Sequence, residues 1–397
     1  MKEPLKEQWA LDPSIVFLNH GSFGATPRVV LELQSALRAR MEKNPMQFFV
    51  RDLEGLLDEA RAALGAFVRA APEDLAFVPN ATTGVNAVVR SLRLEAGDEL
   101  LTTDHEYNAC KNVLEFAAER AGARVVVAKV PFPLAREDEV VDAIAAAVTP
   151  RTRLLLVDHV TSPTGLVFPI ERVAAAVGAR GVEVLVDGAH APGMVDLSLE
   201  RLAPHVAYYT ANCHKWLCTP KGAAFLWVRK DKQPGVRPHV VSHGQNVPRT
   251  DRSRFNLEFD WPGTFDPTPV LCIAASIDFL SKLAPDWRAR NRALALEARA
   301  LLCEALGVPA AAPESMIGSL ASVPLPDGEV RPFDPRWGDE LQRLLFEEHA
   351  IEVPIFAWPA PGKRVLRVSA QLYNTRKDYE HLAAVLPGLC TATSKNR

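Results

Sequence analysis

The chain switches repeatedly between two hydrophobic periods, and that alternation restricts it to an α/β architecture. Short apolar runs at 75–78, 99–102, 124–130, 154–157 and 182–186 read as strands. Each gives way to polar or small residues and then to a helical pattern, as at 140–148 and 170–178. The runs are continuous in β-branched residues and leucine, which marks parallel strands buried on both faces. Ahead of them, 52-DLEGLLDEARAALGAFVRA-70 sets Leu53, Leu56, Leu57, Ala60, Leu64, Phe67 and Val68 at helical spacing, with Asp52 suited to the helix start. The run 223-AAFLWVRK-230 is expected to return antiparallel. After the proline-rich stretch 261-WPGTFDPTPV-270 the pattern changes to helices over 271–283 and 288–306, strands near 318–323, a helix over 337–348, strands over 351–355 and 365–369, and a helix over 376–386. A length of 397 residues exceeds what one core usually organises. The expected division is an N-terminal arm (1–20), a large domain with a mostly parallel sheet flanked by helices (21–268), and a smaller α+β domain (269–397).

Composition narrows the functional classes. Hydrophobic content of 48% and charged content of 23% are those of a soluble globular protein. A net charge of -3 offers no basic surface for nucleic acid or an anionic membrane, so neither partner is expected. No apolar run approaches the length of a bilayer span. The opening MKEPLKEQWALDPS carries acids and lacks an apolar core, so it does not read as a signal peptide. The six cysteines form no C-x-x-C pair, which suits reduced thiols in a cytoplasm.

In 208-YYTANCHKWLCTPKGAAFLWV-228, Lys215 stands between two apolar runs. Alone, it fits a loop lysine that reaches water; a buried lysine, though, loses its proton readily and can attack a carbonyl. What surrounds it in the sequence tips the balance. Open parallel sheets bind ligands beyond the carboxyl ends of their strands. The strand at 182–186 runs into 187-DGAHAPG-193 and delivers Asp187; the strand at 154–157 runs into 158-DHVTSPTG-165, with Ser162 and Thr164. The strand ending at residue 78 leads to 80-NATTG-84, a plain N-cap or, at the first turn of a helix, a phosphate seat. A Schiff-base lysine, a carboxylate for a pyridine nitrogen and a phosphate cup together suggest pyridoxal 5'-phosphate. His105, His159, His190 and His214 lie at four strand ends without metal-ligand spacing, so no metal site is expected.

Seven ordered motifs carry a resemblance: 80-NATTG-84, 104-DHEYNA-109, 158-DHVTSPTG-165, 187-DGAHAPG-193, 212-NCHKW-216, 261-WPGTFDP-267 and 364-RVLRVSAQLYNT-375. Through them the chain resembles the class V aminotransferase family of fold-type I pyridoxal-phosphate enzymes, most nearly its isopenicillin N epimerase-like branch. The resemblance implies that Lys215 holds the cofactor and moves the α-proton, Asp187 pairs with the pyridinium and His190 lies near the ring hydroxyl. It further implies phosphate contacts from Thr82, Thr83, Asn212 and His214, with Thr264 reaching phosphate across a homodimer whose active sites are shared. Tyr107 stands where relatives stack a ring on the cofactor and is also a candidate catalytic acid. Ser162 replaces the asparagine many relatives place at the ring oxygen. Arg367 matches the arginine that grips a substrate carboxylate, and the segment 18-LNHGSFG-24 offers Asn19 and His20 as substrate contacts.

The implied chemistry is action at the α-carbon of an amino acid or of a small molecule containing one. Epimerisation or racemisation is the first expectation, and C–S lyase and aminotransferase are the alternatives. A non-catalytic cofactor-binding scaffold fits poorly with an intact lysine, aspartate and arginine set. The segment 349-HAIEVPIFAWPAPGKRVLRVS-369 contains no cysteine, which argues against the persulfide chemistry of cysteine desulfurases.

Overall fold

The computed structural model describes residues 5–330 and 334–394; residues 1–4 of the expected arm lie outside the described residues. The apolar runs form one seven-stranded sheet: β1 (Leu75–Val78), β2 (Glu99–Thr103), β3 (Arg124–Ala128), β4 (Thr152–Asp158), β5 (Glu183–Asp187), β6 (Tyr208–Asn212) and β7 (Ala224–Val228). Their order is β1-β7-β6-β5-β4-β2-β3. Only β7 runs against its neighbours, β1 and β6, as expected for the return strand. The other pairs are parallel, so β1, β2, β4, β5 and β6 end on one rim. β3 is one of the two edge strands, and its Val127 is 39% exposed where a fully buried run was expected.

The rim is furnished by helices that start at it. α1 (Ala81–Val89) follows β1, α2 (Asn108–Ala121) follows β2, and α3 (Asp138–Ala147) and α4 (Ile170–Gly178) follow β3 and β4. Asn80 caps α1, its side chain accepting from Thr83 N at 2.9 Å. Gly84 lets this helix lie against β6: a Cβ there would sit 2.1 Å from Thr210 Oγ1.

Beyond residue 268, β8 (Leu320–Leu325), β9 (Ile355–Phe356) and β10 (Arg364–Ser369) make an antiparallel sheet in the order β9-β10-β8. The strand expected over 351–355 is in fact two. Ile351–Glu352 pairs in parallel with Val16–Phe17, while β9 pairs with β10. Pro354 lies between them and has no N–H to continue a ladder. The helix expected over 271–283 is broken at Cys272 into Thr268–Leu271 and Ile273–Leu283. The last helix, opened by a Thr375–Asp378 capping box, runs through Pro387 to Thr393. Asp52 does not cap its helix; its carboxylate serves Arg40 and Gln47 instead. Among the described residues no single helix is long and apolar enough to cross a membrane.

The packing at Gly84 has a measurable consequence. Gly84→Ala is expected to destabilise the protein by about 1–3 kcal/mol, as overpacking does. Gly55, inside helix Leu53–Val68 with open space around it, is the control: Gly55→Ala should stabilise by about 0.5–1 kcal/mol. Denaturant midpoints of the two variants would separate these outcomes; equal shifts would refute the packing argument.

Candidate active site

The loop between β6 and β7 carries Lys215 onto the rim. There a cavity of about 690 Å³ gathers Thr82, Thr83, Tyr107, Ser162, Asp187, His190, Asn212, His214, Lys215 and Arg367. The lysine loop is gripped from the N-terminal side by Gly24, whose φ of 72° and contact with His214 O leave no room for a side chain. Lys215 Nζ lies 3.1 Å from His190 Nε2. Burial, then the charge of Arg367, lowers the lysine pKa to about 8. Burial also pushes His190 well below the usual imidazole value. Asn212 Oδ1 accepts from Ala81 N at 2.9 Å, tying the first turn of α1 to the rim. His214 is anchored through Nδ1, 3.0 Å from Ala223 O.

The floor of the cavity is acidic to a degree the sequence reading missed. Asp158 and Asp187 end adjacent parallel strands in paired register, and Glu106 and Cys110 come in from the start of α2. All four are 3% exposed or less. Burial raises the pKa of each acid, and the like charges raise Glu106 and Asp158 further. Asp187 accepts from Ala189 N at 2.9 Å and Cys110 Sγ at 3.2 Å, and Glu106 from Tyr107 N at 3.2 Å. Glu106, Cys110 and Asp187 could be read as metal ligands, since their ligand atoms lie within 4.8 Å of one another. Burial among carboxyls pushes the Cys110 thiol well above its ordinary value. A signal was present in the sequence: both 154–158 and 183–187 end an apolar run in aspartate.

Arg367, on β10, reaches the cavity from the opposite side and is 1% exposed. It donates through Nη1 to Ser162 O and through Nη2 to Ser22 Oγ at 3.3 Å, and its guanidinium lies 4.9 Å from the Phe356 ring centre. Its Nε has no partner among the described residues.

The Aminotransferase class-V family pattern matches residues 16–382. The chain belongs to the class-V aminotransferase family. It is 38% identical over 401 residues to the isopenicillin N epimerase of Amycolatopsis lactamdurans, an alignment covering 97% of both chains. A probable chloroplastic L-cysteine desulfhydrase of Arabidopsis thaliana is 29% identical over 420 residues, covering 96% of this chain and 86% of the relative. Among solved structures, the complex of the cystine C–S lyase C-DES with its product cysteine persulfide aligns at a TM-score of 0.77 over 94% of this chain and 98% of that one. Its 22% identity bears on the fold alone.

Three expected site residues of this class-V chain do not line the cavity. Asn19 donates to Glu352 Oε1 at 3.2 Å and accepts from Ser22 Oγ. His20 is fully buried behind the lysine loop, its Nε2 2.9 Å from Lys215 O and its Nδ1 2.8 Å from Tyr373 OH. The segment's contribution to the lining is instead Gly21, Ser22 and Phe23. Thr264 is exposed on the connection that follows Trp261 and lies outside its own chain's cavity.

The acid cluster sets a pH dependence. Glu106 ionises in the unfolded chain near about pH 4.3 but higher when folded, so its contribution is full below that pH and is lost as pH rises toward the folded value. Relative to the parent protein, Glu106→Gln should therefore gain stability between about pH 5 and pH 8, by up to about 1.4 kcal/mol per pH unit. Urea midpoints of the ligand-free proteins at both pH values would show it; a constant difference would contradict the shift.

Proposed function

We propose that this chain is a pyridoxal 5'-phosphate enzyme that epimerises or racemises an amino acid, or a small compound containing one, at its α-carbon. The observation that carries the reading is the convergence of Lys215, Asp187, the start of α1 and Arg367 on one cavity. The residues present fit the cofactor. Asp158 Oδ2 is buried without a partner among the described residues, and the three crowded acids would be relieved by a cation delivered to Asp187. Lys215 would hold the aldehyde carbon, Asp187 the ring nitrogen, His190 and Ser162 the ring oxygen, and Thr82, Thr83, Asn212 and His214 the phosphate. When bound, the cofactor supplies an electron-accepting ring that makes the substrate α-proton acidic.

The remaining work falls to the chain itself. Arg367 holds the substrate carboxylate in a planar, paired geometry that a lysine would not reproduce. Lys215 Nζ, with a pKa of about 8, is a base suited to taking the α-proton near neutrality. Returning a proton to the opposite face inverts the centre, and the phenol of Tyr107 is the proposed carrier. The desulfhydrase relatives favour a second reading, C–S lysis, in which the same lysine takes the α-proton and Tyr107 protonates a departing sulfur.

The reading includes a cytoplasmic homodimer. All six cysteines are free, as a reducing compartment favours. Thr264 lies away from its own cavity, and Phe23 on the rim is 74% exposed, which suits closure by a second copy whose Thr264 reaches across. The arm, large domain and small domain divided near residues 20 and 268 belong to the same proposal; the separate sheets on either side of 268 support it.

Incubation with a panel of L- and D-amino acids and cysteine conjugates in deuterated water tests the chemistry. Epimerisation requires deuterium at the α-carbon with inverted configuration; lysis requires pyruvate and a sulfur product; the absence of both would overturn the proposal. Arg367→Lys should raise KM for the responding substrate roughly 10- to 100-fold, the loss of one or two charged hydrogen bonds.

A further inference from the structure

Trp216 follows the lysine directly and is 1% exposed, yet nothing in the site as described gives it a task. Its indole Nε1–H, which can only donate, points at His190 Nδ1 from 3.3 Å. A neutral imidazole that accepts at Nδ1 carries its proton on Nε2. That Nε2 lies 3.1 Å from Lys215 Nζ. A ring N–H cannot accept, so in this hydrogen bond the amine must, and only an unprotonated amine has a lone pair to offer.

We propose that Trp216 is a positioning residue that locks the tautomer of His190: by donating to Nδ1 it keeps the imidazole proton on Nε2 and holds Lys215 as the free amine. That the free amine serves to capture an aldehyde rests on the functional reading given above. Once the amine is engaged, the same Nε2–H is left as a donor facing the cavity, suited to an anionic ring oxygen.

The surroundings hold the indole in place. His20 packs its ring 4.9 Å from that of Trp216 and is itself pinned between Tyr373 OH and Lys215 O. His190 is 2% exposed, and burial opposes its cation. The titratable groups acting on Lys215 are Arg367, Asp187, Asp158 and Cys110. Those acting on His190 are Lys215, Arg367, His20 and His214. Trp216→Phe keeps every one of them, and puts a smaller aromatic ring without the N–H in place of the indole.

Two measurements on the full-length, ligand-free chain test the lock. In protein labelled with ¹⁵N-histidine, with the His190 signals assigned through His190→Asn, Nδ1 should resonate as unprotonated and Nε2 as protonated. The reverse assignment would overturn the proposal without any variant needing to fold at position 216. In Trp216→Phe, the midpoint of the pH profile for capture of pyridoxal phosphate should rise by about one pH unit, with the rate at high pH unchanged. An unshifted midpoint in a variant with parental circular dichroism and melting temperature would also overturn it. Failure of the parent protein to capture the aldehyde at all would instead count against the functional reading, while the nitrogen signals still decide the lock.

Discussion

Holding an amine against a set of carboxyls away from water is the constraint on which the rest of this structure depends. Lys215 faces Asp187 and Asp158, with Glu106 and Cys110 beside Asp187, and Arg367 enters the same cavity bonded to Ser162 O and Ser22 Oγ. Charges removed from water are tolerated only when paired or neutralised by proton movement. Three adjacent buried acids cannot all ionise, and burial already favours the neutral amine. The site is therefore organised by where protons sit. Asp187, with a backbone N–H and a thiol donating to it, is raised less than Glu106 and Asp158 and is the acid suited to carry the charge.

The fold delivers these groups through strand ends. Parallel pairing of β4 with β5 sets Asp158 beside Asp187, and β6 leads into the lysine loop one strand further along. Arg367 comes from a different sheet. Its position relative to Lys215 depends on the segment 16–24, which pairs with Ile351–Glu352, accepts at Leu18 O from Ser369 N, and presses Gly24 against the lysine loop. The N-terminal segment is thus a spacer between the two halves of the site; its Gly21, Ser22 and Phe23 line the cavity, and Asn19 and His20 lie outside that lining.

What was legible in the sequence follows from locality. Lys215, Asp187 and the cap at Asn80 announce themselves at the ends of apolar runs, and the positions of the strands along the chain followed from continuous Val and Leu stretches. Features that depend on distant partners were not legible. Asp158 becomes a partner of Asp187 only through register. His20 acquires its role from Tyr373, far away in the chain, and Trp216 acquires its role from the orientation of one imidazole. The single strand expected over 351–355 failed for a local reason, Pro354, whose missing N–H was visible but whose two separate partners were not. Thr264 lies outside its own chain's cavity, a placement that no local hydrophobic pattern encodes.

The central claim is that one enclosed amine, that of Lys215, is the group that takes the cofactor aldehyde. The most direct measurement is to incubate the protein with pyridoxal 5'-phosphate, reduce with borohydride, digest, and locate the added mass. The account predicts a single pyridoxyl adduct on the peptide containing Lys215. An adduct spread over surface lysines with Lys215 unmodified, or none at all, would contradict it.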